Sequence, residues 1–243
     1  MDFALNEDQL ELKQAARAWL ADRFPLDRDW EEQDDRWAEL GELGWLDVAE
    51  AGLGFLEEAL LLEEMGYVCY PGFYLGHVAS LAGDGKAATV DPTRTFLHVE
   101  ETPRFRTAAA AEALGVAQRA LDLGVEHAKT RIQFGKPIGT YQAVSHPLAQ
   151  TYTDVELARS LVYWAAWCVA EEDERAPPAA AAAKAFATEA AVAACERSIQ
   201  AHGGIGFTWE HPLHRFYKRA LWLEGFGRRP AELRLEVANS LLA

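Results

Sequence analysis

The chain has 243 residues, half of them apolar or aromatic, with 23 basic and 38 acidic side chains and a formal net charge of −15. That length fits one large domain or two small ones with a real core, and the composition excludes global disorder. A chain with no basic excess lacks the footprint that duplex DNA or an anionic membrane surface needs, so neither a nucleic acid nor a membrane is expected as a partner.

The acidic balance suits a basic partner surface and equally a plain solvated exterior. Cys69, Cys168 and Cys195 form no zinc or redox motif and are expected to be reduced core residues. The opening Met1-Asp2-Phe3-Ala4-Leu5-Asn6-Glu7-Asp8 has no cationic leader, and the longest apolar stretch, Leu161 to Ala170, is too short to span a bilayer. A cytoplasmic location is expected.

In chain order, a first helix is predicted over 6–22, with Asn6 as N-cap and Leu10, Ala15, Trp19 and Leu20 near a helical period. Pro25 ends it. A second helix is predicted over 30–43 with Gly44 as its stop, and a third over 53–65 followed by Gly66. Residues 66–107 are rich in proline and glycine and read as a connector whose strand-like piece is Thr95 to Val99. Strong helical periodicity then returns over 108–130, 142–171, 179–201, 212–225 and 230–242. Pro147 falls early in the second of these and Pro212 in the first turn of the fourth. Short loops between long helices favour antiparallel neighbours and hence a bundle.

Two loops gather chemistry. Arg131-Ile132-Gln133-Phe134-Gly135-Lys136-Pro137-Ile138-Gly139, continuing to Tyr141-Gln142, places a guanidinium, amides, an aromatic face and flexible glycine in one bend. Arginine grips phosphate with paired hydrogen bonds, and a phenyl ring can stack on a heterocycle. The same residues fit a solvated turn with Phe134 as a hydrophobic plug. In the second loop, Gln200 to Phe207, the pair Gly203-Gly204 lets a backbone approach a ligand closely, although glycine is also how ordinary helices end. It is no dinucleotide fingerprint, since no strand precedes it and the glycine spacing differs. His211 and His214 lie three apart without a third ligand, so no metal is expected. His146 and His202 lie near the two loops and are read as structural or as donors to phosphate or a neighbouring subunit.

In this order the motifs resemble the acyl-CoA dehydrogenase family. The likeness runs through Gly115-Val116-Ala117-Gln118-Arg119-Ala120-Leu121, Arg131 to Gln142, Lys184 with Phe186-Ala187, Gln200 to Phe207, and Pro212-Leu213 with Arg215. Asp2-Phe3 with Glu7, and Leu40-Gly41-Glu42-Leu43-Gly44-Trp45-Leu46, resemble the family's leading helical domain. The resemblance implies FAD and acyl-CoA thioester oxidation, in which a carboxylate removes the α-proton and the flavin takes the β-hydride. It implies a tetramer whose flavin reaches across a subunit interface. It also implies that Arg131, Gln133, Phe134, Gln142, Gln200, Gly203 and Gly204 contact the adenylate and pyrophosphate of FAD.

Two departures shape the reading. The stretch 67–103 is too short for the family's β-rich middle domain. The family's base positions fall at Gly227 and at Phe105, neither a carboxylate, with Glu224 three residues early and Glu112 on the first bundle helix in a polar or structural role. The expected fold is mainly α: a small helical N-terminal domain (1–66), a connector that is the remnant of the middle β domain (67–103), and a C-terminal antiparallel four-helix bundle with the flavin-contact loops (104–243). The expected role is a subunit of a FAD-dependent acyl-CoA dehydrogenase: the non-catalytic chain of an α2β2 heterotetramer with a second acyl-CoA dehydrogenase-like subunit. Steroid side-chain degradation is one setting for such pairs. The alternatives are a scaffold that no longer binds FAD, and an active homo-oligomer with Glu224 as base.

Overall fold

The computed structural model describes residues 5–31, 34–48, 52–80 and 101–242. The strand-like piece Thr95 to Val99 and the Asp2-Phe3 pair lie outside the described residues. Helix α1 (Glu7–Arg23) starts where Asn6 predicts: its side chain accepts the Gln9 amide at 2.8 Å, while the Gln9 side chain accepts the Asn6 amide at 3.1 Å.

The second helix is shorter than its periodicity predicts. Helix α2 is Trp37–Glu42 only. Trp30 is drawn away from it, its indole donating to the Leu26 carbonyl at 3.1 Å and its ring meeting Phe216 edge-on at 6.1 Å. Asp34 and Asp35 accept the amides two residues on, those of Arg36 and Trp37, a turn that competes with helix. Gly44 does end the element, at φ +74°, and the Trp45 amide returns to the Leu40 carbonyl at 3.0 Å.

Helix α3 (Phe55–Val68) runs through Gly66 instead of stopping before it. Gly66 is there for contact. A methyl group on it would overlap the Glu112 carbonyl, and one on Gly115 would overlap the Glu63 carbonyl, so the pair of glycines lets the backbones of α3 and α5 touch. Helix α4 (Tyr74–Ser80) arises inside the expected connector, anchored by Tyr74, whose hydroxyl donates to the Trp45 carbonyl at 2.9 Å.

Helix α5 (Pro103–Thr130) begins five residues before its predicted start, because Thr102 caps it by accepting the Phe105 amide at 3.1 Å and Pro103 suits the first turn. A two-residue antiparallel pair, β1 (Ile132–Gln133) and β2 (Lys136–Pro137), leads through a 3-10 turn into α6 (Gln142–Ala170). Helix α7 (Ala176–His202) takes Pro177 and Pro178 into its first turn, where absent amides cost nothing, and so begins earlier than the predicted 179. Helices α8 (Leu213–Gly225) and α9 (Pro230–Leu242) complete the chain.

The result is the expected mainly α architecture, with β1–β2 as its sheet among the described residues. Alanine-rich α7 packs on α5, α6, α8 and α9 at the centre of the bundle, and α3 lies across α5. Core residues of α1 to α4 and of the bundle form one apolar cluster, from Leu20 and Leu62 to Val162 and Phe216. Ionic contacts pin the same junction. Glu63, fully enclosed, takes Lys13, Arg159 and the Tyr163 hydroxyl, the last at 2.7 Å, while Glu64 takes Arg17.

Candidate functional site

The two motif loops meet at one end of the bundle. Arg131 follows the last turn of α5, and Gly203 follows the last turn of α7. His127 and His202, in those last turns, stack at 4.2 Å, and His202 meets His211 at 4.4 Å. Both loops therefore rise from a shared histidine floor.

The first loop is a tight hairpin. Ile132 pairs with Pro137 and Gln133 with Lys136, leaving Phe134 at φ +52° and Gly135 at φ +81° as the two turn residues. Two positive φ values define the hairpin turn that asparagine and glycine favour. Phenylalanine gains nothing from that backbone, and the residue is 92% exposed, its ring edge-on to Tyr141 at 6.3 Å. A residue strained in backbone and unburied in side chain points to a role outside the fold. The plug reading of Phe134 is thus overturned.

The Arg131 guanidinium has no ion-pair partner among the described residues. The Arg131 amide donates to the His127 carbonyl at 2.9 Å, which fixes where the side chain leaves the helix. Gln133 folds onto the neighbouring Ile132 carbonyl at 2.8 Å. Gln142 opens α6 and Gln200 lies in the last turn of α7, both exposed. Gly203, at φ +65°, and Gly204 face open space. Lys129 and Lys136 on the hairpin side and Lys218 beside the exposed Trp209 bring further cations to this end, where Arg215 is paired with Glu31. Arg131, Gln133, Phe134, Gln142, Gln200, Gly203 and Gly204 are therefore brought to one end, and cations, an open ring face and bare backbone fit an adenylate with its pyrophosphate.

Glu224 is elsewhere. It lies in the last turn of α8, roughly 17 Å along that helix from the loop that precedes it. It borders a cleft of about 460 Å³ with Glu189, Gly225 and Arg229. Burial and the neighbouring Glu189 and Glu196 charges push its carboxyl up.

The other two base positions are filled differently. Phe105 is buried, edge-on to Phe226 at 5.7 Å. Gly227 has φ +70°, and a methyl group there would overlap the carboxylate of Glu101, which packs against it. Glu101 was not among the residues the sequence singled out; no motif marks it, and only the fold carries it across to Gly227. It is held by the Arg228 amide, by the Lys184 ammonium at 3.0 Å and by Arg106 at 3.2 Å. Burial would raise its pKa, but these partners outweigh it and hold the carboxyl below its ordinary value. Lys184 also donates to the Phe226 and Arg228 carbonyls, at 2.6 and 3.2 Å, so this is a structural lock around the loop. Glu112 likewise serves structure, bound at 2.6 and 2.9 Å by Arg219.

Among the described residues no group of three candidate ligands could hold a metal, and no helix is long and apolar enough to cross a membrane. All three cysteines are unpaired, with Cys168 and Cys195 buried and Cys69 partly so.

A helical bundle that sends a strained aromatic hairpin and an open glycine loop to one end defines the class. Family models for the acyl-CoA dehydrogenase N-terminal domain and C-terminal domain match residues 6–88 and 99–227. The chain belongs to the acyl-CoA dehydrogenase family. Acyl-CoA dehydrogenase IpdE2 of Mycobacterium tuberculosis (strain ATCC 25618 / H37Rv) is 45% identical over 145 residues, covering 55% of this chain and 44% of that protein. The chain spans under half the length of that curated relative. The ChsE4-ChsE5 complex from Mycobacterium tuberculosis shares the fold at TM-score 0.82 and 21% identity, over 100% of this chain and 99% of the other. The Tcur3481-Tcur3483 steroid ACAD G363A variant does so at TM-score 0.81 and 23% identity, over 97% and 98%.

Proposed function

We propose that this chain is a subunit of a cytoplasmic, FAD-dependent acyl-CoA dehydrogenase and works beside a second acyl-CoA dehydrogenase-like chain in an α2β2 heterotetramer. Its share is the cofactor-holding loops; the base and the cover of the thioester come from the partner chain. The observation that carries this reading is the contrast within one chain. The two loops converge with unpaired cationic, aromatic and glycine surfaces, while Gly227, Phe105 and the locked Glu101 leave no free carboxylate at the base positions.

Bound FAD would supply the hydride acceptor for α,β-desaturation of an acyl-CoA thioester. Arg131 would pair with phosphate oxygens and Phe134 would stack on the adenine. Gln133, Gln142 and Gln200 would meet polar edges, and the Gly203-Gly204 backbone would sit against the pyrophosphate. A steroid-derived acyl group and the two-chain assembly are favoured by the fold neighbours, one a complex of two chains and the other a steroid ACAD.

The deciding experiment is a visible absorption spectrum, with mass measured on the same sample, of the chain alone and co-expressed with an acyl-CoA dehydrogenase-like partner. A flavin band near ~450 nm only in the mixed complex is the expected result. A band with the chain alone would replace the shared site by a self-sufficient one. No flavin in a folded complex would overturn the proposal in favour of a scaffold.

A further inference from the structure

We propose that the histidine floor beneath the two loops makes binding of an anionic dinucleotide proton-linked, with His202 taking up the proton at Nε2. This rests on the cofactor reading above and extends it to residues that reading does not use.

The hydrogen bonds fix the tautomers. His202 Nδ1 lies 2.8 Å from the Ser198 carbonyl and must donate to it, so Nε2 is its free basic nitrogen. His211 Nδ1 accepts the Leu213 amide at 3.3 Å, so its proton is on Nε2. His214 Nδ1 donates to the His211 carbonyl at 2.9 Å, and its Nε2 is buried without a hydrogen-bond partner. His211 is thus neutral, and the open proton site lies on the ring between His127 and His211.

The surroundings resist that proton until an anion arrives. Burial, then His202 and Arg131, lower His127; burial lowers His202 against the Ser198 hydrogen bond; burial and the three other rings bring His211 down to about 4. The nearby carboxylates are engaged elsewhere or exposed. Glu196 accepts the Tyr217 hydroxyl, and Glu126 and Glu210 face solvent. Lys129, Arg131 and Lys218 add positive charge from the ends of α5 and α8, while Arg215 is paired with Glu31 at 2.6 Å. An anion over Gly203-Gly204 and Arg131 reverses the sign of that field. The C-terminal end of α7 then favours a cation on His202.

The test is calorimetric binding of FAD and of ADP-ribose, whose pyrophosphates do not titrate near neutrality, to the flavin-stripped complex of this chain with its partner, in buffers of different ionisation enthalpy. Affinity should rise as pH falls toward the lowered pKa of free His202, by at most about tenfold per pH unit, with proton uptake. His202→Asn keeps the donor to Ser198 and should abolish the slope and the uptake while binding persists. Binding without a pH slope, or a slope unchanged in His202→Asn, overturns the inference and leaves the cofactor reading standing. No binding to the folded complex at any pH overturns the inference together with the cofactor reading, whereas a flat pH profile overturns the inference alone.

Discussion

The crossing of α3 and α5 and the loop end of the bundle treat their side chains in opposite ways. At the crossing, Glu63 and Glu64 are buried but matched by Lys13, Arg17, Arg159 and Tyr163, and Gly66 and Gly115 leave no room for a methyl group. At the loop end, Phe134, Phe207 and Trp209 are largely exposed, and Gly135, Gly203 and Gly204 face open space. The first region is complete within the chain. The second meets its requirements only with something added, which is the physical signature of a site.

The contrast sets the order of expected effects. Glu63→Gln should cost about 3 kcal/mol in a urea titration, because Lys13 and Arg159 lose the charge that holds them in a partly buried junction. A loss below about 1 kcal/mol would show that the junction is solvated. Gly115→Ala should cost nearly as much, about 2 to 3 kcal/mol, since the obstruction is the Glu63 backbone carbonyl and cannot swing away.

The pH dependence follows from the same carboxylate. Burial alone would raise the Glu63 pKa, but the charges of Lys13 and Arg159 with the hydrogen bonds from Lys13 and Tyr163 hold it below its ordinary 4.5. Its stabilisation is therefore present above that value and lost as pH falls through the lower, folded one. Unfolding midpoints measured toward acid should fall less steeply in Glu63→Gln than in the parent.

Effects at the loop end should fall on binding instead. Phe134→Asn should leave stability unchanged or raise it by about 0.5 kcal/mol, as asparagine accepts the left-handed turn position. The assembled protein should meanwhile retain less flavin. A clear loss of stability would return Phe134 to the fold. Smallest of all, Glu224→Gln should leave turnover of the assembled enzyme unchanged; a loss of turnover with flavin retained would make Glu224 the base.

Much of the helical content was legible because capping and spacing act locally. Asn6, Gly44 and the periodicity of 142–171 each predict what forms there. The loop motifs were equally legible, since a guanidinium, a ring and paired glycines in short segments need no distant partner to be noticed. Errors came where long-range contact overrode local preference. Trp30 leaves a helical pattern to meet Phe216, Gly66 stays helical because α5 lies against it, and Tyr74 seeds a helix in an unpromising connector by reaching Trp45.

The sequence by itself determined most of the helices, the two loops and the absence of a carboxylate at positions 105 and 227, because residue type and spacing carry those properties wherever the chain goes. Only the tertiary structure decided that His127 stacks on His202 and His211 tilts against it beneath both loops, and that Glu101 closes on Gly227 under the hold of Lys184. Except for His202 with His211, nine positions apart, those contacts join residues from about 75 to more than 120 positions apart, whose proximity is set by helix packing in three dimensions and has no signal in local spacing.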